Sequence, residues 1–203
     1  MPTYTDPLLQ LRLGDAPHPH LERVWSRRFP VFTLRTAREN ERAIAQLLPE
    51  DHAAELRPDG PDPATVVLAT GDLRPLAGID PLALSGPLRL RIAAALAEAL
   101  QQVHACEVFH LSLRPSVVLV SPDLRQARII DFSSSRVCRR PRSGVGAFRP
   151  LLADDHFLAP EQLHISSDIV DNRTDLYALG GLFLWLLTGR PPFPDIDGSE
   201  ELA

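Results

Sequence analysis

Apolar residues recur along this chain with periods that distinguish helices from strands. Residues 87–105 are rich in Ala and Leu and predict a helix, with Pro87 suited to its first position. A second helix is predicted over 174–188, because Gly189 is a natural C-terminal stop. An apolar face within 38–48 predicts a shorter helix.

Short apolar, β-branched runs predict strands at 29–34, 64–70, 117–120 and 127–130. The last two would form a hairpin that carries Asp131 at its end. Residues 1–20 contain prolines and histidines without periodicity, which predicts a poorly ordered lead-in. Residues 133–158 hold many Arg, Pro and Gly and few periodic features, which predicts a mobile segment.

Five motifs in the C-terminal half follow one another in a specific order. They are HLSLRPSV at 110–117, DFS at 131–133, APE at 159–161, RTDLYALG at 173–180 and LLTGRPPF at 186–193. This set resembles the catalytic loop H-R-D-L-x-x-x-N, the D-F-G and the A-P-E of a protein kinase, followed by a long buried helix and its closing turn. The ordered set is far more specific than any one motif.

The resemblance implies an α+β, two-lobed protein kinase-like fold. We expect a reduced N-lobe over 21–75 and a mainly helical C-lobe over 76–203 that is incomplete at its C-terminal end. More narrowly, APEQ at 159–162 and DNRTD at 171–175 are similar to kinase domains that open large bacterial signalling proteins. In those proteins an AAA-type ATPase and a sensor histidine kinase module often follow.

The catalytic loop keeps the frame of the kinase motifs but departs from them at chemically important positions. Ser112 stands where the resemblance places the catalytic Asp, and a neutral hydroxyl cannot act as that base without a partner. Val117 replaces the metal-binding Asn and offers Mg²⁺ no oxygen. Ser133 replaces Gly at a position where a positive φ would be tolerated. Arg114 stands where a lysine steadies the transferred phosphate, although an ordinary exposed arginine is the alternative.

Asp131 is the best-preserved chemical group. The resemblance implies that it holds Mg²⁺ against the phosphates of ATP, since a hard cation prefers anionic oxygen. The alternative is that Asp131 only caps a turn. ATP is therefore the expected cofactor, with Mg²⁺ weakly held.

The predicted N-lobe keeps even fewer of the kinase residues that bind the nucleotide. All 21 basic residues are arginine, so the strand lysine that holds phosphates in kinases is missing, and a G-x-G-x-x-G loop is missing before residue 60. Arg35 is the candidate replacement for the lysine, and Glu41 is the candidate acidic partner on the next helix. Their separation is shorter than the family shows, and an exposed helical Glu is the alternative for Glu41. Leu119 corresponds to the apolar floor under the adenine.

Four matching residues are architectural in the resemblance. His110, Phe132 and Asp175 correspond to positions that tie the catalytic loop to the long helix. Glu161 closes the A-P-E motif, and its usual arginine partner would lie beyond Ala203. Each of the four could instead be a plain core or capping residue.

Composition limits the cellular environment and the classes of binding partner that we expect. A net charge of −5 gives no field that would collect nucleic acid. The longest apolar run, 177–187, is shorter than the roughly 20 residues that span a bilayer. Two cysteines give neither a disulfide framework nor metal-ligand spacing. We therefore expect a cytoplasmic protein that contacts a protein partner or fused signalling domains, without nucleic acid or membrane.

These observations favour a pseudokinase that serves as a regulatory or binding module in signalling. An atypical, weakly active serine/threonine kinase is the alternative, because Asp131 and the C-lobe frame are kept. A truncated, non-functional remnant is a third interpretation. Whether the chain is an enzyme stays open at this point.

Overall fold

The computed structural model describes residues 9–13, 20–25, 41, 43–49, 55–57, 65–69, 72–138, 155–162 and 170–193. Its strands are β1 (Leu9–Leu13), β2 (His20–Trp25), β3 (Glu55–Arg57), β4 (Thr65–Ala69), β5 (Arg74–Pro75), β6 (Val108–Phe109), β7 (Val118–Val120), β8 (Ala127–Ile129) and β9 (Arg136–Val137). Its long helices are α1 (Gly86–Ala105) and α2 (Asn172–Thr188), and residues 41 and 43–45 are also helical. The predicted α+β class is confirmed.

An antiparallel sheet with the order β1-β2-β4-β3 forms the N-terminal part. The predicted strand at 64–70 is confirmed by β4. The prediction of an unordered lead-in over 1–20 is wrong for β1, whose residues alternate between leucine and a polar residue, as a paired strand requires. Five residues of β1 pair with five of β2, and this pairing orders the segment. The predicted strand at 29–34 lies outside the described residues.

Helix α1 lies where the Ala- and Leu-rich run predicted it, with Pro87 in its first turn. Its buried face repeats every three or four residues and packs into the main core. This face consists of Ile92, Ala95, Leu96, Ala99, Leu100 and Val103.

Helix α2 is defined by strong signals at both ends. The Asp171 side chain accepts a hydrogen bond from the Arg173 N–H, and Thr174 completes a capping box. At the other end Gly189 has φ = 70° and its N–H donates to the Trp185 carbonyl, as predicted for a left-handed stop. Because both ends are capped, the buried residues of α2 hold a fixed register against the core.

The hairpin predicted before Asp131 is confirmed. β7 and β8 pair antiparallel, with Val118 opposite Ile129, and β5 joins the other edge of β7. The prediction of a mobile segment over 133–158 is wrong at both ends: β9 pairs with β6, and Asp155–Phe157 forms a 3-10 turn. Within the described residues, neither α1 nor α2 has the length and apolar character needed to cross a membrane.

Replacement of Gly189 by alanine should destabilise the fold. A Cβ at this position would lie 2.8 Å from Cγ of Leu82, in a backbone conformation that alanine avoids. We expect a loss of about 1–3 kcal/mol in the free energy of unfolding, measured by urea denaturation. The matched control is Gly180→Ala, where a Cβ would meet nothing within 4 Å. Gly180 lies inside α2, so this change should be neutral or stabilising by about 0.5–1 kcal/mol. Equal losses in both variants would contradict the prediction.

Candidate functional site

The loop that carries the candidate site is held by one buried carboxylate. Asp175, on α2, is fully buried and accepts hydrogen bonds from the backbone N–H groups of His110 (2.8 Å) and Leu111 (2.7 Å). The His104 ring, near the end of α1, contacts the same carboxylate through Nε2 at 2.8 Å. Three donors therefore compensate the desolvation of this anion, and the loop is tied to both helices.

His110 ties this loop to the segment that carries Asp131. Its Nε2–H donates to the Ile130 carbonyl at 3.0 Å, while Nδ1 accepts from the Ser112 N–H at 3.3 Å. The ring also lies edge-on to Phe132, with centroids 5.0 Å apart. Burial lowers the pKa of His110 below its ordinary value, so the neutral imidazole matches this pattern of one donor and one acceptor.

Arg114 bridges the two motifs of the candidate site. Its Nη1 donates to the Ser112 hydroxyl at 2.6 Å and to the Ser112 carbonyl at 3.0 Å. Its Nη2 lies 3.3 Å from a carboxylate oxygen of Asp131. Both charged side chains are largely buried, with exposed fractions of 12% and 6%. The alternative that Arg114 is an ordinary exposed arginine is therefore wrong.

Two further positions, 117 and 119, are apolar and fully buried. Val117 ends a 3-10 turn, and its carbonyl accepts from the Ile130 N–H at 2.9 Å. Its buried side chain occupies the position where the kinase resemblance implies a metal ligand. Leu119, in the centre of β7, is also buried, as an apolar floor would be. Ser133 lies in the 3-10 turn Phe132–Ser134.

The donor set at this site does not fit a kinase-type Mg²⁺ ion. Asp131 supplies one carboxylate, which already contacts the Arg114 guanidinium, and Val117 supplies no oxygen. Mg²⁺ requires near-octahedral oxygen coordination and is repelled by a neighbouring cation. Within the described residues, no group of three or more His, Cys, Asp or Glu side chains is placed to hold a metal ion.

Glu161 has a partner that the sequence analysis missed. The Thr174 hydroxyl donates to Glu161 Oε1 at 2.6 Å. Thr174 belongs to the capping box of α2, so the APE motif is tied to the start of that helix. No sequence pattern indicates that a threonine hydroxyl would contact this glutamate.

Gln162 was also missed as a site residue. Its Nε2 donates to the Leu111 carbonyl at 2.8 Å, and its Oε1 accepts from the Ala159 N–H at 3.1 Å. The available signal was the glutamine that follows APE, which carries both a donor and an acceptor. Gln162 therefore joins the APE motif to the loop beside Ser112.

On the N-terminal side, Glu41 is helical and only 3% exposed, so the alternative of an exposed glutamate is wrong. Arg35 lies outside the described residues.

Comparison with known proteins identifies the family of this chain. A family model described as the protein kinase domain matches residues 83–203. The chain is 30% identical over 177 residues to serine/threonine-protein kinase PknB of Mycolicibacterium smegmatis, which covers 82% of this chain and 27% of that protein. It is 37% identical over 101 residues to serine/threonine-protein kinase pkn2 of Myxococcus xanthus, or 48% of this chain and 12% of the relative. With PknF of Mycobacterium tuberculosis it shares 35% identity over 117 residues, or 56% of this chain and 24% of the relative. The chain therefore spans about a quarter or less of these relatives.

The lowered pKa of His110 predicts a stability that falls on acidification. Below about pH 6.5 the unfolded chain binds a proton at this histidine that the native state rejects, so unfolding is favoured as the pH falls. His110→Gln keeps a donor for the Ile130 carbonyl and removes this titration. Between pH 7 and 5, the wild-type free energy of unfolding should fall more steeply than that of the variant, by up to about 1.4 kcal/mol per pH unit. Parallel curves from urea unfolding at several pH values would contradict the assignment.

Proposed function

Because the chain belongs to the protein kinase domain family, we propose that it is a pseudokinase: a kinase-shaped regulatory module that does not transfer phosphate. It keeps the loop architecture of the family through Asp175 and His110. The groups that would handle a proton and a second metal ligand are replaced by Ser112 and Val117. The relatives are named serine/threonine-protein kinases, so the loss of activity is the distinctive part of this proposal.

One observation carries the proposal: Arg114 contacts both Ser112 and Asp131. A general base must accept a proton, yet the Ser112 hydroxyl oxygen already accepts from a guanidinium at 2.6 Å. A positive charge at this distance disfavours any further proton on that oxygen. Without this acceptor, a substrate hydroxyl is not activated, and positional effects are the remaining contribution to phosphoryl transfer.

The same arginine replaces part of what a metal ion would do. In an active kinase, Mg²⁺ neutralises charge between the DFG aspartate and the phosphates. Here Arg114 places a permanent cation against Asp131, and both side chains are largely buried from solvent. We therefore propose that this module binds ATP weakly and with little dependence on Mg²⁺. The buried Leu119 and Glu41 support retention of a nucleotide cleft.

The module is proposed to act in signalling, through a protein partner or through domains fused to it. The matched region is only 27% of PknB and 12% of pkn2, so these relatives contain long additional segments. This supports a role in which the kinase-like domain acts together with other domains. A kinase-shaped domain that has lost transfer can still present its surface to a partner. Fused AAA-type ATPase or histidine kinase modules remain part of this proposal and rest on the APEQ and DNRTD motifs alone.

Thermal unfolding with ATP, in the presence of either Mg²⁺ or a chelator, tests the metal dependence. A ligand that binds only the native state raises its stability, by about 1.4 kcal/mol when ATP is tenfold above its Kd. For a chain of this size we expect a rise of roughly 3–6 °C in Tm, equal under both conditions. A rise that requires Mg²⁺ would contradict the proposed role of Arg114. If Tm rises in neither condition, ATP is not a ligand, and the proposal is reduced to a module that recognises only protein.

Arg114→Gln should make the ATP-dependent rise in Tm sensitive to Mg²⁺. This substitution removes the cation that lies 3.3 Å from Asp131, so Mg²⁺ should now add to the ATP-dependent rise in Tm. The matched control is Arg125→Gln, because Arg125 is 69% exposed in the β7–β8 turn and lies on the surface. That variant should keep the wild-type response. A Mg²⁺ response of the same size in both variants would show that Arg114 does not act at Asp131.

A weakly active serine/threonine kinase is the second candidate, favoured by the retention of Asp131 beside the loop. Radiolabel transfer from ATP to a generic protein substrate separates the two functions. General base catalysis contributes roughly 10²- to 10⁴-fold, so its loss should reduce transfer to background. We expect equal signals from the wild type and Asp131→Ala. Transfer by the wild type that Asp131→Ala abolishes would establish the kinase activity instead.

A further inference from the structure

We propose that Gln162 couples the 155–162 segment to the loop at 110–114, so that displacement of the segment loosens the Arg114–Asp131 pair. This inference adds a mode of regulation to the proposed function and rests on it, because the pair is the feature that the regulation would change. The observations that carry it are the contacts of Leu111 and Gln162.

Leu111 is held in an unfavourable backbone conformation from both sides. Its φ is 61°, a left-handed value that a leucine rarely adopts. Its N–H donates to Asp175 Oδ1, and its carbonyl accepts from Gln162 Nε2. Such a conformation persists only where the surroundings impose it, so removal of either contact favours a return to negative φ.

The glutamine at position 162 uses both its donor and its acceptor. Its amide accepts from the Ala159 N–H with one atom and donates to the Leu111 carbonyl with the other. A glutamate would keep the acceptor but lose the donor, and an asparagine is shorter by one methylene. The two hydrogen bonds therefore link the position of the segment directly to the backbone beside Ser112.

The segment is docked on α2 by contacts that do not involve Gln162. The Phe157 side chain is almost fully buried and lies so close to Gly181 that a Cβ there would be 3.2 Å from it. Glu161 bonds Thr174 at the start of the helix. By contrast, Pro160 is exposed, and Glu161 and Gln162 are half-buried, so a protein partner can reach this end of the segment.

The consequence follows along a short run of backbone. A change of φ at Leu111 reorients the peptide that carries Ser112, whose carbonyl and hydroxyl both accept from Arg114. Arg114 then loses two of the contacts that orient its Nη2 toward Asp131. A partner that displaces Gln162 would thus release the Asp131 carboxylate from its cation.

Hydrogen exchange of the full chain, measured by mass spectrometry without nucleotide, tests the coupling. In Gln162→Leu we expect the amide exchange rate of peptides covering 110–117 to rise roughly tenfold, the size expected for one lost hydrogen bond. Peptides from α1 and α2 should be unchanged. Gln162→Glu should behave alike, because it also lacks the donor, and it keeps the proposal testable if the leucine variant fails to fold. Glu161→Gln is the matched control, since its side-chain oxygen can still accept from Thr174, and exchange at 110–117 should stay at the wild-type rate.

Unchanged exchange at 110–117 in both Gln162 variants would overturn the coupling. A uniform rise throughout the chain would also overturn it, since that result reports global destabilisation. Because this measurement needs no nucleotide, it can fail while the ATP experiments succeed, and the reverse also holds. In the ATP experiment, Gln162→Leu should reproduce part of the Mg²⁺ response of Arg114→Gln.

Discussion

The buried carboxylate of Asp175 is the interaction on which the candidate site depends. An anion removed from water is costly unless donors surround it, and here two backbone N–H groups and the His104 ring do so. These donors come from α1 and from the loop at 110–114, so their arrangement requires all three elements to be in place. Because α2 is capped at both ends and packed in the core, Asp175 gives the loop a fixed reference point.

This dependence explains how the kinase-like loop can keep its structure when its reactive side chains are replaced. The contacts that shape the loop use backbone atoms, the His110 ring and Asp175, whereas the reactive positions are side chains at 112 and 117. Replacement of a reactive side chain therefore leaves the loop standing. The valine at position 117 is itself buried in the core, and Arg114 contacts both Ser112 and Asp131.

Local sequence patterns predicted the fold well where the element is long or its ends are marked. The helices α1 and α2, the left-handed Gly189 and the β7–β8 hairpin all have such signals. The failures occur where pairing, rather than propensity, orders the chain. β1 and β9 are short segments that acquire regular structure only by hydrogen bonding to β2 and β6. The burial of Glu41 likewise reflects tertiary packing that a single helical face did not reveal.

The amino-acid sequence alone establishes which chemical groups the chain can offer: a serine, a valine and an aspartate at the catalytic and metal positions, and no lysine at all. Such losses can be read directly, because a missing functional group cannot be supplied by folding. Which of these groups contact one another depends on the tertiary structure. The pairing of Arg114 with Asp131, of Glu161 with Thr174 and of Gln162 with Leu111 joins residues distant along the chain. Hydrogen bonds of this kind are sensitive to changes of a few tenths of an ångström in the donor–acceptor distance. These distances are set by the packing of whole elements and not by any local pattern.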